Sequence, residues 1–186
     1  MVNPYEKCPE YENENYLLRF VEASDASDLL SVYSDEKAVP FFNSDNCEGD
    51  FHCTLLEHVQ GMIKAWQEEY NRKGFVRWSI IDKRIQHAVG TIELFNRQSN
   101  DYFTDCGILR LDLRSDYEQE EPIKEILSMI APPAFELFDC QMIATKIPPF
   151  ATERKAAAET LGFTESKEKV IGHHQQIYTD YYVLRQ

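Results

Sequence analysis

Residues 111–127, Leu-Asp-Leu-Arg-Ser-Asp-Tyr-Glu-Gln-Glu-Glu-Pro-Ile-Lys-Glu-Ile-Leu, carry a strand through an acidic turn into a helix. Immediately upstream, the run Cys106 to Leu113 sets Ile108, Arg110 and Asp112 against Leu109, Leu111 and Leu113, the period of two that gives a strand two different faces. The acids of Tyr117-Glu118-Gln119-Glu120-Glu121 follow, and Pro122 marks the start of a helix, since proline suits the first helical position, where an N–H has no partner to lose. Pro132-Pro133 should kink or split that helix, because each proline deletes a mid-helix hydrogen bond and clashes with the turn before it.

Toward the N-terminus, Phe75 to Ile81 and Ala88 to Phe95 flank the charged turn Asp82-Lys83-Arg84, which predicts an antiparallel hairpin. Earlier still, Tyr16 to Val21 is strand-like, and Ser24 to Asp28 offers capping side chains for a helix bearing Leu29, Leu30, Val32 and Tyr33. A loop with Pro40-Phe41-Phe42 leads to a second helix, Phe51 to about Arg72, with Leu55, Val59, Met62, Ile63 and Trp66 at helical spacing and Gly74 at its stop. Toward the C-terminus come a strand (Met142 to Ile147), an Ala-rich helix (Thr152 to Thr160) stopped by Gly162, and a closing strand pair (Phe163 to Ile171, Ile177 to Leu184). The predicted order is β-α-α-β-β-β-α-β-α-β-β, in one domain spanning 16–186 behind a polar extension, 1–15, that is expected to dock loosely.

The chain has 186 residues, 43% of them apolar, and 32 acids against 19 bases give a net charge of −13. A chain of this length buries roughly two-thirds of its unfolded surface without needing disulfides or a structural metal. The acidic balance excludes bulk nucleic-acid or anionic-membrane binding and leaves amines or basic peptides as partners. No apolar run reaches the roughly 18 residues of a membrane span, and the start lacks the apolar stretch of a signal peptide, so a cytoplasmic location is expected. Five cysteines without a framework spacing fit reduced thiols. Cys47, His52, Cys53 and His58 lack the spacing of a metal site and are better read as residues at a helix start. Phe41-Phe42 and Trp66 could supply an apolar patch for a homodimer.

This order resembles the GNAT superfamily of N-acetyltransferases, and within it the branch that acetylates ribosomal-protein N-termini. The likeness is carried by LLRFVEASDASDLLSVYSD, AVGTIELFN, LDLRSDYEQEEPIKEIL, AFELFDCQMIATKIPP and ETLGF, in the family's order and intervals. It implies an α/β (α+β) fold: a mixed, mostly antiparallel seven-stranded sheet flanked by four helices. The sheet is splayed between its fourth and fifth strands, where acetyl-CoA would wedge as cosubstrate. The implied reaction is direct attack of a primary amine, a protein N-terminus or a small amine, on the thioester in a ternary complex. Cofactor contacts would fall on Leu111, Asp112 and Leu113 of the fourth strand, on Glu121, Ile123 and Lys124 at the next helix start, and on Arg154.

This chain departs from the family pattern at the phosphate loop. The family's Gln or Arg, its two glycines and its small residue become Glu118, Gln119, Glu121 and Ile123. Three acids thus stand where a polyanion should dock, each costing about 1 kcal/mol at 4 Å in water, and Pro122 removes a donor. Acids in a first helical turn are also ordinary partners of the helix dipole, so the loop has a purely structural reading as well. Past the fifth strand, the family's asparagine falls on Ala151, its small hydroxyl residue on Arg154 and its acid tyrosine on Ala158. Arg154 and Lys155 fit either a phosphate contact or a solvated helix face. Glu93, which alternates with Ile92 and Leu94, is the candidate base, with a solvent-facing strand acid as its other reading. Tyr178, with Tyr181 and Tyr182, is a candidate pocket residue or acid. Two functions stay open: an N-acetyltransferase, or a GNAT-fold binding or regulatory protein whose loop Glu118-Gln119-Glu120-Glu121-Pro122 no longer holds CoA. A cleft filled by side chains would favour the second, and free amides near Glu121 the first.

Overall fold

The computed structural model describes residues 3–186. In chain order the elements are β1 (Tyr11–Glu12), β2 (Tyr16–Phe20), α1 (Ala26–Tyr33), α2 (Leu56–Asn71), β3 (Val76–Asp82), β4 (His87–Arg97), β5 (Cys106–Leu113), α3 (Glu120–Leu137), β6 (Met142–Lys146), α4 (Thr152–Thr160), β7 (Thr164–Glu165), β8 (Val170–Ile171), β9 (Ile177–Tyr178) and β10 (Tyr181–Arg185). The main sheet has eight strands in the order β1-β2-β3-β4-β5-β6-β10-β7, and β8 with β9 forms a separate ribbon. Every neighbouring pair is antiparallel except β5 with β6. Side-chain alternation decides the layers. Ile92 and Leu94 of β4 and Leu109, Leu111 and Leu113 of β5 join Ile123, Ile126 and Ile130 of α3 in one core, while the opposite face is covered by α1 and α2 through Leu29, Val32, Val59, Ile63 and Trp66.

The splay is where the family resemblance implies it. Pairing of β5 with β6 runs from Cys106↔Met142 to Leu109↔Thr145 and then stops, although β5 continues to Leu113. Gly90 lets β4 and β5 approach at this end, since a Cβ there would meet the Asp112 carbonyl at 2.2 Å. Gly162, at φ +92°, turns the chain out of α4 in the left-handed conformation that favours glycine.

Four expectations need correcting. First, α3 is neither split nor ended by Pro132-Pro133. Pro132 and the Ser128 carbonyl that loses its donor are exposed, so water can replace the bond, while Ile130, Ala131 and Ala134 keep the apolar face buried. The helix also begins at Glu120, which puts Pro122 two residues inside it, where an N–H is still unpaired. Second, α2 starts at Leu56, because the Cys53 N–H is tied to the Tyr33 carbonyl at the end of α1. Third, the closing strand pair is two pairs, β7 with β10 and β8 with β9. The ribbon is held apart from the sheet by Arg97 donating to the Ile171 carbonyl and by the Ile171 N–H on Asp101, both at 2.8 Å. Fourth, residues 3–15 are firmly docked. Trp78 Nε1 donates to the Pro9 carbonyl and Tyr70 OH to that of Pro4, each at 2.8 Å, Asn15 donates to Glu125 at 2.9 Å, and β1 adds the eighth strand.

Candidate functional site

Strand register builds the floor of a cavity on the face where the family resemblance would place the amine, the acceptor side. Arg77 of β3 lies opposite Glu93 of β4, which lies opposite Arg110 of β5, giving a positive-negative-positive row across three strands. Glu93 accepts from Arg77 through one oxygen and from Arg110 through the other at 3.3 Å, and it is 1% exposed. Beside this row, Thr91 lies opposite Asp112; Arg77 Nη1 donates to the Asp112 carboxylate at 3.1 Å and to Thr91 Oγ1 at 2.9 Å, and Tyr33 OH donates to Asp112 at 2.9 Å. Burial alone would lower the Arg77 pKa, but Glu93, Tyr33 and Asp112 outweigh it and hold the guanidinium charged. Burial, and next the Asp112 charge, push Tyr33 well up, so its hydroxyl stays a donor. Three buried atoms here, Arg77 Nε, Arg110 Nε and Asp112 Oδ1, have no partner.

Above this floor is a cavity of about 800 Å³, reached by Glu93 and Arg110 from below, by Phe75 and Phe95 at its sides and by Glu69 and His173 at its rim. Its outer wall is the loop through Asn43–Asp50. Asp45 accepts from Lys146 Nζ at 2.6 Å and from Tyr181 OH at 2.9 Å, and Arg110 donates to the Asp45 carbonyl at 2.8 Å. Tyr178 sits on the β8–β9 ribbon, where its hydroxyl accepts from the Asn46 N–H at 3.1 Å and donates to Gln176 at 2.6 Å, so it braces that loop from outside the cavity lining. Glu93 is therefore inside the acceptor side, and Tyr178 is behind its wall.

The opposite side of β5 is different. Between Leu111 and the start of α4, the gap left by the splay is filled by Arg154, which is 3% exposed. Its Nη1 donates to the Leu111 carbonyl at 2.9 Å and to the Phe41 carbonyl at 3.1 Å. Its Nε and Nη2 take both carboxylate oxygens of Glu118, the first at 3.1 Å. Phe41 covers the guanidinium with its ring centroid 5.7 Å away and is itself stacked edge-on against Phe150. Burial pushes the Glu118 carboxyl up, and Arg154 opposes that shift. Arg154 is thus neither a solvated face nor a free phosphate contact.

The first amide of the helix start is occupied as well, while the next, the Glu121 N–H, has no partner among the described residues. The Glu120 N–H donates to a Glu153 carboxylate oxygen at 3.1 Å, so a side chain from α4 sits on the end of α3 where an anion is favoured. Ile123 is buried in the core with its N–H bonded to the Gln119 carbonyl at 3.2 Å, and Glu121 pairs with Lys124 at 2.5 Å. Asp112 faces the acceptor side, and Leu113 packs into the core opposite Gly90. Acetyl-CoA needs a donor-rich cradle and an open strand edge; the residues present leave a single free amide, at Glu121, beside an occupied first amide, a capped carbonyl and a buried carboxylate, and they do not fit it.

Contributors that escape the sequence reading include Arg77, Asp45 and Lys146 around the cavity, and Glu153 and Phe41 at the splay. Arg77 was accessible in principle, because it alternates with Val76 and Trp78 exactly as Glu93 does with Ile92 and Leu94. Nothing local marks Glu153 or Phe41, whose roles depend on how α4 docks. Among the described residues no three His, Cys, Asp or Glu side chains converge as a metal site, and no helix is long and apolar enough to cross a membrane.

Comparison with known proteins agrees with this architecture. The family model described as acetyltransferase (GNAT) domain matches residues 15–164. The chain belongs to the GNAT acetyltransferase family. No curated protein sequence gives a significant match. Among solved structures, ribosomal-protein-S5-alanine acetyltransferase from Vibrio fischeri superposes with a TM-score of 0.70 at 15% identity, covering 94% of each chain. A GNAT-family acetyltransferase from Bacillus anthracis gives 0.68 at 13% identity over 95% of this chain and 98% of its own. RimJ of Mycobacterium smegmatis, solved with CoA-disulfide, gives 0.67 at 13% identity over 91% and 81%. At these identities the likeness concerns the fold.

Proposed function

We propose that this protein is a binding member of the GNAT family that does not hold acetyl-CoA in the family's manner, and that its ligand is an amine or basic peptide received on the acceptor side. One observation carries this reading: the buried Arg154–Glu118 pair occupies the splay and caps the Leu111 carbonyl. The Glu153 carboxylate on the Glu120 amide supports it, since a phosphate would have to displace an anion already in place. The acceptor side supports the choice of ligand. Its cavity is walled by two phenylalanines and lined by Arg97 and Arg110 as well as Glu69 and Glu93, so the pull on a cation comes from the aromatic faces and from the chain's net charge of −13.

Glu93 serves this reading as a fixed charge. One of its oxygens accepts from Arg77 and the other from Arg110, and the side chain is buried, so it is held in place as part of the charged row. Calorimetric titration of the protein with acetyl-CoA at physiological salt tests the proposal. Kd values above about 1 mM are expected, and micromolar binding overturns it, restoring the RimJ-like acetyltransferase reading.

A further inference from the structure

Every group that faces the Arg154 guanidinium is an acceptor. The two Glu118 oxygens meet Nε and Nη2 side-on, the Leu111 and Phe41 carbonyls share Nη1, and the Phe41 ring covers the plane. This is the complement of a planar, five-donor cation, and it offers nothing to a phosphate. Family architecture opens a gap at the splay; the lining that this chain's residues place there is for the opposite charge.

The geometry points to a guanidinium-recognition site between β5 and α4, filled from within by Arg154 and open to a guanidinium-bearing ligand, such as an arginine side chain, that takes its place. The inference rests on the filled channel used above and goes beyond it, because it assigns the gap a ligand class. Selectivity follows from the fork. A lysine ammonium is a point charge and cannot meet the paired Glu118 oxygens and the two carbonyls together, whereas a guanidinium does so in one plane. The outer edge of the site is the Phe41–Phe150 ring pair, where Phe150 is 56% exposed.

Arginine amide is the probe, with lysine amide as the control, titrated calorimetrically into the wild type, R154A and the double variant E118Q/R154A. Removing the internal occupant should raise affinity for arginine amide at least tenfold over wild type. R154A should also prefer arginine amide over lysine amide at least tenfold, and E118Q/R154A should lose that preference. Equal binding of the two amides by R154A, or no gain over wild type, overturns the inference. Should R154A fail to fold alone, refolding with each amide gives the same answer: recovery with arginine amide only supports the site, and equal or absent recovery refutes it. Micromolar acetyl-CoA binding by the wild type would defeat the proposed function while leaving these ratios to be measured on their own.

Discussion

The two sides of β5 make a direct comparison, because each is built on arginine and glutamate and only one is open. On the acceptor side, Arg77, Glu93 and Arg110 belong to three adjacent strands whose register sets them in a row, and a cavity of about 800 Å³ remains above them. At the splay, Arg154 and Glu118 belong to a helix and a turn that share no sheet bonding, and Arg154 itself takes up the gap. Charges locked by register cannot move unless strands unzip. A pair held by the docking of one short helix can be exchanged for another group that makes the same contacts.

The comparison breaks first, if it breaks, at Arg77. R77M strands Asp112 in the core without its cation and leaves Glu93 with Arg110 alone, and should cost about 3–5 kcal/mol in urea denaturation. A loss below about 1 kcal/mol would mean the row is solvated. Next comes R154M, expected to cost about 2–4 kcal/mol by leaving Glu118 buried and unpaired; adding E118Q should recover at least half of that, since an apolar-neutral pair avoids the stranded charge. No recovery would show that the carbonyl caps, not the ion pair, hold α4 in place.

Acid sharpens the comparison through a group remote from both sides. Arg84, then Tyr117 and the Arg84 N–H, hold the Asp82 carboxyl down at about 2. A depressed carboxyl contributes stability that is present above its unfolded value near 4 and lost as pH falls through about 2. Stability should therefore decline across that window, and D82N should flatten the decline. The smallest effect is expected at the open rim, where E69Q should shift stability by no more than about 0.5 kcal/mol, because Glu69 is solvated and holds only a surface pair with Arg72. A larger loss would mark the rim as structural.

Much of the fold was legible because its signals are local. The alternation in Cys106–Leu113, the Asp82-Lys83-Arg84 turn and the helical spacing of Val59, Ile63 and Trp66 each lie within a few residues. The acidic phosphate loop was legible for the same reason. Less so were the double proline in α3, where tertiary burial overrides a local breaker, and the closing strands, where Arg97 and Asp101 pull a ribbon away from the sheet. Within the site, Glu93 could be assigned a face but not its two guanidinium partners, because periodicity fixes a direction and only strand pairing supplies the neighbour.

Sequence alone determined the order of the elements and the missing glycines, since each is set by residue type and spacing along the chain, and through the family resemblance it implied the place of the splay. Only the tertiary structure decided what fills the splay. Arg154 and Glu118 are 36 positions apart, and no pattern in either segment refers to the other. Their meeting depends on the small, buried Ala157 and Ala158 letting α4 lie close against α3, and on a buried charge accepting no position without its partner.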